Sequence, residues 1–206
     1  SGRDTPISYS IVPAIIDWVD SDDDVTMLPF IRGQNSGAET NYYQKLNEPY
    51  HCKNATFDVL SELLLVKGMT KELFYGRSEN VNTSVKSLPG IGQYLTIYGD
   101  GKININEASS MVSQSLSENM SQPLAQNIVE QRQFRRYLNI EQLKQVQGMT
   151  SEVYDEISPA ITVKTKDIYY IVTAKGVVED FEQVVKVVLR KNPSTSNVDV
   201  LMRFES

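Results

Sequence analysis

The chain has 206 residues, 40% of them hydrophobic and 22% charged, which is the composition of a folded globular protein rather than a disordered one. Its formal net charge is −6 and its lysines and arginines are dispersed, which disfavours a nucleic-acid binder because such a protein needs clustered positive charge. Cys52 is the only cysteine, so an internal disulfide and a zinc site built from several thiolates are excluded.

The first predicted element is an amphipathic helix at residues 9–19, followed by an acidic loop. Apolar residues recur there at helical spacing, at Ile11, Ala14, Ile15, Trp18 and Val19. We expect Trp18 to be a core anchor, because a tryptophan buries a large apolar area. The loop begins with Asp20-Ser-Asp-Asp-Asp24 and continues through turn-forming residues to Gly37. Its carboxylates suit either a bound cation or a solvated acidic turn.

Two short helices are predicted within residues 55–75. Gly68 can take the left-handed conformation that ends a helix, and Thr70 is placed to cap the helix that follows. The residue pattern of 63–72 reappears at 143–152, 80 residues later. The repetition predicts two related helix–turn–helix units.

The middle of the chain is predicted to be helical. The expected helices lie at about residues 107–117, 122–136, 140–147 and 151–157. Asn106 is expected to cap the first of them, and Asn139 with Gln142 three residues later resembles a capping box.

After Pro159 the residue types change to β-branched and aromatic ones, which predicts three strands. They lie at residues 163–173, 177–190 and 198–204, separated by a turn at Lys175-Gly176 and by residues 192–197. The last strand is expected to hold four apolar residues on one face, namely Val198, Val200, Met202 and Phe204. The predicted fold class is therefore α+β, with an antiparallel meander that has one buried face under another layer.

No arrangement of residues selects a catalytic site. His51 is the only histidine, and its side chain points away from that of Cys52 if the segment is extended. The sequence also lacks the Gly-x-Ser-x-Gly elbow of a serine hydrolase. We predict that the chain is not an enzyme.

The alternative function is a helix-hairpin-helix DNA-binding protein, suggested by Leu88-Pro-Gly-Ile-Gly92. In such a protein a helix follows the glycine turn, whereas residues 94–98 are typical of a strand. A modest basic region, which a solvated helix face explains better than a DNA-binding surface, consists of Arg132, Arg135, Arg136 and Lys144. Tyr42 and Tyr43, near Tyr50, fit either a partner surface or core packing.

Four motifs resemble those of the K-type minor pseudopilins of type II secretion systems, also called general secretion pathway protein K. Residues 17–22, DWVDSD, resemble the family's D-W-[IV]-D-[AS]-D motif. Residues 37–43 resemble G-A-E-x-x-Y-Y, and residues 61–69 resemble S-E-L-x-x-[VI]-x-G-[MV]. Residues 103–108 are similar to [VI]-N-[VIL]-N-T-A, with Glu107 in place of the usual Thr. The order and spacing of the motifs also agree.

The resemblance implies a helical insertion with two sterile-alpha-motif-like units, followed by the last three strands of a pilin-type sheet. Residues 1–54 would form the amino-terminal helix and acidic loop. Residues 55–160 would contain the two helical units, at about 55–76 and 104–160, and residues 161–206 the strands.

The resemblance also implies a structural role in the bacterial periplasm. Family members act at the tip of the pseudopilus with the I-type and J-type minor pseudopilins, where they initiate or cap its assembly during protein export across the outer membrane. Secreted proteins are further expected partners. In the full-length protein a long apolar helix would anchor the protein to the inner membrane. We expect that helix to lie outside this sequence, because no apolar run here approaches the roughly 18 residues that a membrane span needs.

A structural calcium ion is implied as well, because family members bind calcium near the acidic loop. Calcium prefers six to eight oxygen ligands. The expected ligands are Asp20, Asp22, Asp24 and Glu39, with Asp17 as a weaker candidate. The loop is not an EF-hand, since the sixth position from Asp20 is Val25 rather than Gly and the twelfth is Ile31 rather than Glu.

Overall fold

The computed structural model describes residues 11–29, 36–77, 87–165, 167–195 and 197–205. The chain divides into two compact units, residues 1–97 and 98–206. The domain boundaries predicted near residues 54 and 160 lie inside these units. Among the described helices, none combines the length and the apolar character that a membrane span needs.

The first unit is built from short helices. They are α1 (Ile11–Val19), α2 (Thr40–Tyr43), a 3₁₀ helix (Leu60–Leu65), α3 (Lys71–Tyr75) and a second 3₁₀ helix (Ile91–Tyr94), with strand β1 (Gly76–Arg77) antiparallel to β2 (Leu88–Pro89). The helix predicted at 9–19 is confirmed from Ile11 onward, and residues 9 and 10 lie outside the described part. The strand predicted at 94–98 is wrong: these residues belong to none of the strands in the described part of the chain, and Tyr94 ends a 3₁₀ helix instead.

Trp18 lies at the centre of the first unit's core and is only 2% exposed. Its ring contacts Tyr43 edge to face, with the ring centroids 5.3 Å apart. The prediction of a core anchor is therefore confirmed. Tyr43 is fully buried, so core packing rather than a partner surface is its role. Tyr42 is partly exposed.

The second unit begins with a helical half. Its elements are β3 (Ile103–Asn104), α4 (Ser110–Gln114), α5 (Gln122–Phe134), a 3₁₀ helix (Ile140–Gln145), α6 (Ser151–Ile157), a 3₁₀ helix (Ser158–Ala160) and β4 (Ile161–Thr162). Strand β3 pairs with β4 in parallel, so the first and last elements of the helical half lie side by side. Ile105, Ile128, Leu143 and Ile157 are fully buried at its centre.

The predicted pair of related units is present. Each consists of a 3₁₀ helix, a glycine with positive φ and a short capped helix. The glycines are Gly68, with φ 86°, and Gly148, with φ 92°. Thr70 Oγ1 accepts a hydrogen bond from Leu73 N at 3.0 Å, and Thr150 Oγ1 accepts one from Val153 N at 3.2 Å. The repeat predicted from sequence therefore corresponds to a repeat of local structure.

Asn106 does not cap a helix, contrary to expectation. Helix α4 begins later and is capped by Ser109, whose Oγ accepts a hydrogen bond from Val112 N. The side chain of Asn106 instead points into the core, where it is hydrogen-bonded to backbone groups of Tyr137 and Val163. Tertiary hydrogen bonds have replaced the local cap.

The carboxyl-terminal part of the second unit is a three-stranded antiparallel sheet. Its strands are β5 (Ile168–Val178), β6 (Phe181–Lys191) and β7 (Val198–Glu205), in the order β5–β6–β7. The predicted α+β class and meander are confirmed. The turn expected at Lys175-Gly176 is wrong, because the strands continue to the pair Val178 and Phe181 and reverse at Glu179-Asp180.

The predicted faces of the sheet are also wrong. A register shift between Val188 and Leu189 pairs Val200 with Leu189 but Met202 with Val188. Because successive residues of a strand point to opposite faces, Val200 and Met202 lie on different faces. Neither face is buried as expected, since Val188 is the one buried residue among the described side chains of the sheet.

Candidate metal centre

The acidic loop closes because backbone contacts bring its two ends together. Met27 and Ser36 form an isolated antiparallel bridge, and Gly37 N donates a hydrogen bond to Thr26 O at 2.9 Å. Lys67 binds the segment that returns to Glu39: its Nζ donates hydrogen bonds to the carbonyls of Ser36 at 3.2 Å and Gly37 at 2.9 Å. This closure carries the chain from the end of α1 back to Glu39.

Asp17 fixes the start of the loop from its position in α1. Its side chain is fully buried, and Oδ1 accepts a hydrogen bond from Thr26 N at 2.9 Å. Gly37 packs directly against it: a Cβ at Gly37 would lie 2.1 Å from Asp17 Oδ2 and 2.7 Å from Pro13 O. No larger residue fits at Gly37 without moving the helix or the loop.

The loop gathers three of the predicted ligands into one group. Carboxylate oxygens of Asp20, Asp22 and Glu39 all lie within 4.8 Å of one another. Asp22 is exposed, Asp20 is half-buried, and Glu39 is only 1% exposed. Asp24 is not in this group; its backbone N donates to Asp22 Oδ1 at 2.9 Å. Asp17 also lies outside the group, although its Oδ2 is buried without a hydrogen-bond partner.

The electrostatics of this group disfavour a metal-free, fully ionised state. Burial, with Asp17 and Asp20 nearby, raises the pKa of Glu39 to about 7. Burial and the neighbouring Asp22 also raise the pKa of Asp20. Both oxygens of Glu39 and Oδ1 of Asp20 are buried and accept no hydrogen bond from the described residues. Buried carboxylates without donors are costly, and a bound cation would offset that cost.

Asn54 belongs to the surroundings of this centre, although the motifs did not single it out. Its Nδ2 donates to Asp22 O at 2.8 Å and to Asp23 Oδ1 at 3.4 Å, which ties the acidic turn to the segment after Cys52. Its Oδ1 is buried without a partner. The sequence offers no local signal for this contact, because 32 residues separate Asn54 from Asp22.

The donor set suits a hard cation better than a soft one. Carboxylate and amide oxygens are the ligands that calcium prefers, and zinc or copper would call for imidazole or thiolate. The Cys52 thiol is buried, its pKa is raised to about 11 by that burial, and it points to the carbonyl of Asp17 at 3.3 Å. His51 is exposed. The residues present therefore fit calcium.

The α+β fold, with its acidic loop on a helical unit and its terminal meander, agrees with the architecture that the motif resemblance implies. Residues 6–76 match the family model described as type II secretion system protein K. Residues 100–162 match a helix-hairpin-helix motif model. No curated protein matches the sequence.

The fold is also similar to that of a solved structure. One chain of the GspK–GspI–GspJ complex from the type II secretion system of enterotoxigenic Escherichia coli aligns with a TM-score of 0.62 and 16% identity. The alignment covers 95% of the present chain and 62% of the other, so this sequence spans about three fifths of the length of the chain it matches. The family-model match agrees with the resemblance seen in the motifs of the first unit, and the structural alignment shows a shared fold over most of the chain.

The basic residues near the helix-hairpin-helix match are largely engaged within the protein. Arg132 Nη1 donates to Ile105 O at 2.7 Å, Arg136 pairs with Glu107, and Lys144 Nζ lies 2.6 Å from Glu141 Oε2. Phosphate binding would have to compete with these partners. Apart from the match of residues 100–162 to the helix-hairpin-helix model, the described contacts of these basic residues do not support the DNA-binding alternative.

Proposed function

We propose that this chain is the periplasmic part of a structural, non-enzymatic minor pseudopilin that acts at the tip of a type II secretion pseudopilus. There it assembles with I-type and J-type minor pseudopilins and initiates or caps the pseudopilus during protein export across the outer membrane. The observation that carries the proposal is the structural alignment, over 95% of the chain, with a chain of the GspK–GspI–GspJ complex. Secreted proteins are candidate transient partners.

The sheet supports a further part of this proposal, an inner-membrane stalk helix in the full-length protein. One face of the sheet, short of its hairpin end, presents a row of exposed apolar side chains, at Ile168, Tyr170, Val172, Val198 and Val200. A bare three-stranded sheet is weakly stable unless another layer covers it. An apolar helix on this face would supply that layer and hold the protein at the periplasmic side of the inner membrane.

A secretion assay tests the proposal. Deleting the gene for the full-length protein in its own bacterium should abolish export of type II secretion substrates, which should then accumulate in the periplasm. Restoring the gene should restore export. A deletion strain that still exports these proteins at the normal level would contradict the proposed function.

We also propose that the acidic loop holds a structural calcium ion, with Asp20, Asp22 and Glu39 as ligands and Asp24 and Asp17 as candidates for the remaining positions. The buried, unpaired oxygens of Glu39 and Asp20 support this site. Calcium would neutralise the clustered carboxylates and order the loop between α1 and α2. Its role would be stability rather than catalysis.

Calorimetric titration of the metal-free chain should detect calcium binding, and calcium should raise the melting temperature. At about 100 times the dissociation constant, binding adds about 2.7 kcal/mol to the free energy of unfolding. Asp20→Asn and Glu39→Gln should each abolish or strongly weaken binding, while Asp155→Asn, an exposed carboxylate of α6, should leave it unchanged. A melting temperature that does not respond to calcium or chelator would remove the site.

A further inference from the structure

The turn that joins β5 to β6 carries an unusual set of side chains. We call residues 177–182 the hairpin end. Val178 and Phe181 are direct cross-strand partners, 72% and 84% exposed, and the reversal between them takes only Glu179 and Asp180. Cross-strand partners hold their Cβ atoms about 5 Å apart, so the two apolar side chains form one fixed unit. Tight turns are normally polar on all sides, and an exposed apolar cluster at such a place indicates a contact surface.

The hairpin end is apolar on both faces of the sheet. Val177 precedes Val178 in the same strand and so points to the opposite face, where it is 60% exposed. A helix or sheet laid on one face would cover Val178 and Phe181 but leave Val177 in water. A concave site that encloses the end of the hairpin would cover all three.

The charges beside this apolar cluster are negative. Glu179, Asp180 and Glu182 lie next to it, and one of them is neutralised, because Lys175 Nζ lies 2.6 Å from Glu182 Oε2. The three acidic residues of the hairpin end, together with the adjacent Lys175, carry a net charge of −3 + 1 = −2. Complementary charges steer association and suppress wrong partners. An anionic membrane surface is therefore a poor partner, and a protein pocket edged by Lys or Arg is a good one.

We propose that the hairpin end inserts into a concave apolar site, edged by basic side chains, on a neighbouring protein subunit. This inference rests on the proposed function, because the neighbouring subunits at a pseudopilus tip would be the I-type and J-type minor pseudopilins. Val178 and Phe181 would provide the apolar anchor and Asp180 the charge contact. The hairpin holds them rigidly, so little conformational entropy would be lost on binding.

The test measures the affinity of the 206-residue chain for purified periplasmic domains of the I-type and J-type subunits from the same bacterium. The double variant V178S/F181S should bind at least tenfold more weakly than the unchanged chain. Asp180→Lys should slow association at low salt, with an effect that shrinks near 1 M salt. The matched control is Phe134→Ser, which removes a 91% exposed aromatic residue from the end of α5. Circular dichroism and melting temperature should be unchanged in all three.

Each other result has a distinct meaning. If the unchanged chain binds neither subunit, the proposed function fails and the docking inference fails with it. If it binds and V178S/F181S binds equally well, the inference is overturned while the proposed function stands. Equal losses in Phe134→Ser would overturn it too, because the effect would then not be specific to the hairpin end. If the unchanged chain self-associates and V178S/F181S abolishes that association, the inference is overturned as stated, because the hairpin end then binds a second copy of this chain rather than a different subunit.

Discussion

At the scale of single residues, the acidic loop depends on a glycine with no room around it. Gly37 passes so close to Asp17 and to the carbonyl of Pro13 that a side chain would overlap both. Asp17 in turn fixes Thr26, and Lys67 holds the Gly37 carbonyl. Glu39 follows two residues later, so the position of the buried carboxylate depends on this contact. The motif residues Asp17 and Gly37 therefore have a packing role that is separate from metal binding.

Gly37→Ala should lower the free energy of unfolding by about 1–3 kcal/mol, because the added methyl group forces α1 and the loop apart. The matched control is Gly176→Ala, since a Cβ at Gly176 meets no atom within 4 Å. Denaturant unfolding of both variants checks the prediction. A Gly37 variant as stable as the Gly176 variant would mean that the loop adjusts without cost.

Glu39 should make the stability of the metal-free chain depend on pH. Its pKa is about 7 in the folded protein, against 4.5 for an ordinary glutamate, so the folded state binds the proton more tightly. Stability should therefore fall as the pH rises from about 4.5 to 7 and level off above, by an amount on the order of 2 kcal/mol. Urea unfolding across this range measures it. Glu39→Gln should remove this slope, whereas Glu48→Gln, at an exposed position, should retain it.

At the scale of elements, local patterns predicted the helices better than the strands. The helix–turn–helix repeat was predictable because its glycines and threonine caps act within a few residues. The β5–β6 turn was not, since Gly176 offers the usual turn signal while the actual turn uses Glu179 at a positive φ of 54°. With apolar residues on both faces, the pattern leaves the strand register unspecified. Asn54 and Asn106 act through contacts distant in sequence, which periodicity cannot reveal.

Asn106 joins three loop segments of the second unit, and its loss should be severe. Its Nδ2 donates to Tyr137 O at 2.9 Å and Val163 O at 3.1 Å, and its Oδ1 accepts from Tyr137 N at 2.9 Å. Asn106→Ala should cost about 3 kcal/mol of unfolding free energy, because buried backbone groups lose their partners. Asn127→Ala removes one exposed hydrogen bond to Gln147 O and should cost about 1 kcal/mol or less. Equal losses in thermal or urea unfolding would contradict the assignment.

At the scale of the whole molecule, two features agree with the proposed role in assembly. Among the described residues, Asp20, Asp22 and the buried Glu39 form a carboxylate group that fits a structural cation, while many apolar side chains of the terminal sheet are exposed. The resemblance to the protein K family was visible in the sequence because the motifs lie in that loop and in the first helical unit. The proposed docking surface was not visible in the sequence, since the exposure of Val178 and Phe181 depends on a turn whose position the sequence pattern left open.

In the proposed function, the chain assembles with I-type and J-type minor pseudopilins. The most direct measurement is the mass of the species formed when the purified chain is mixed with the periplasmic domains of both subunits, by size-exclusion chromatography with light scattering. The account predicts a single complex that contains one copy of each protein. Elution of the chain alone, at its own mass of 23.2 kDa, across concentrations and with calcium present, would contradict it.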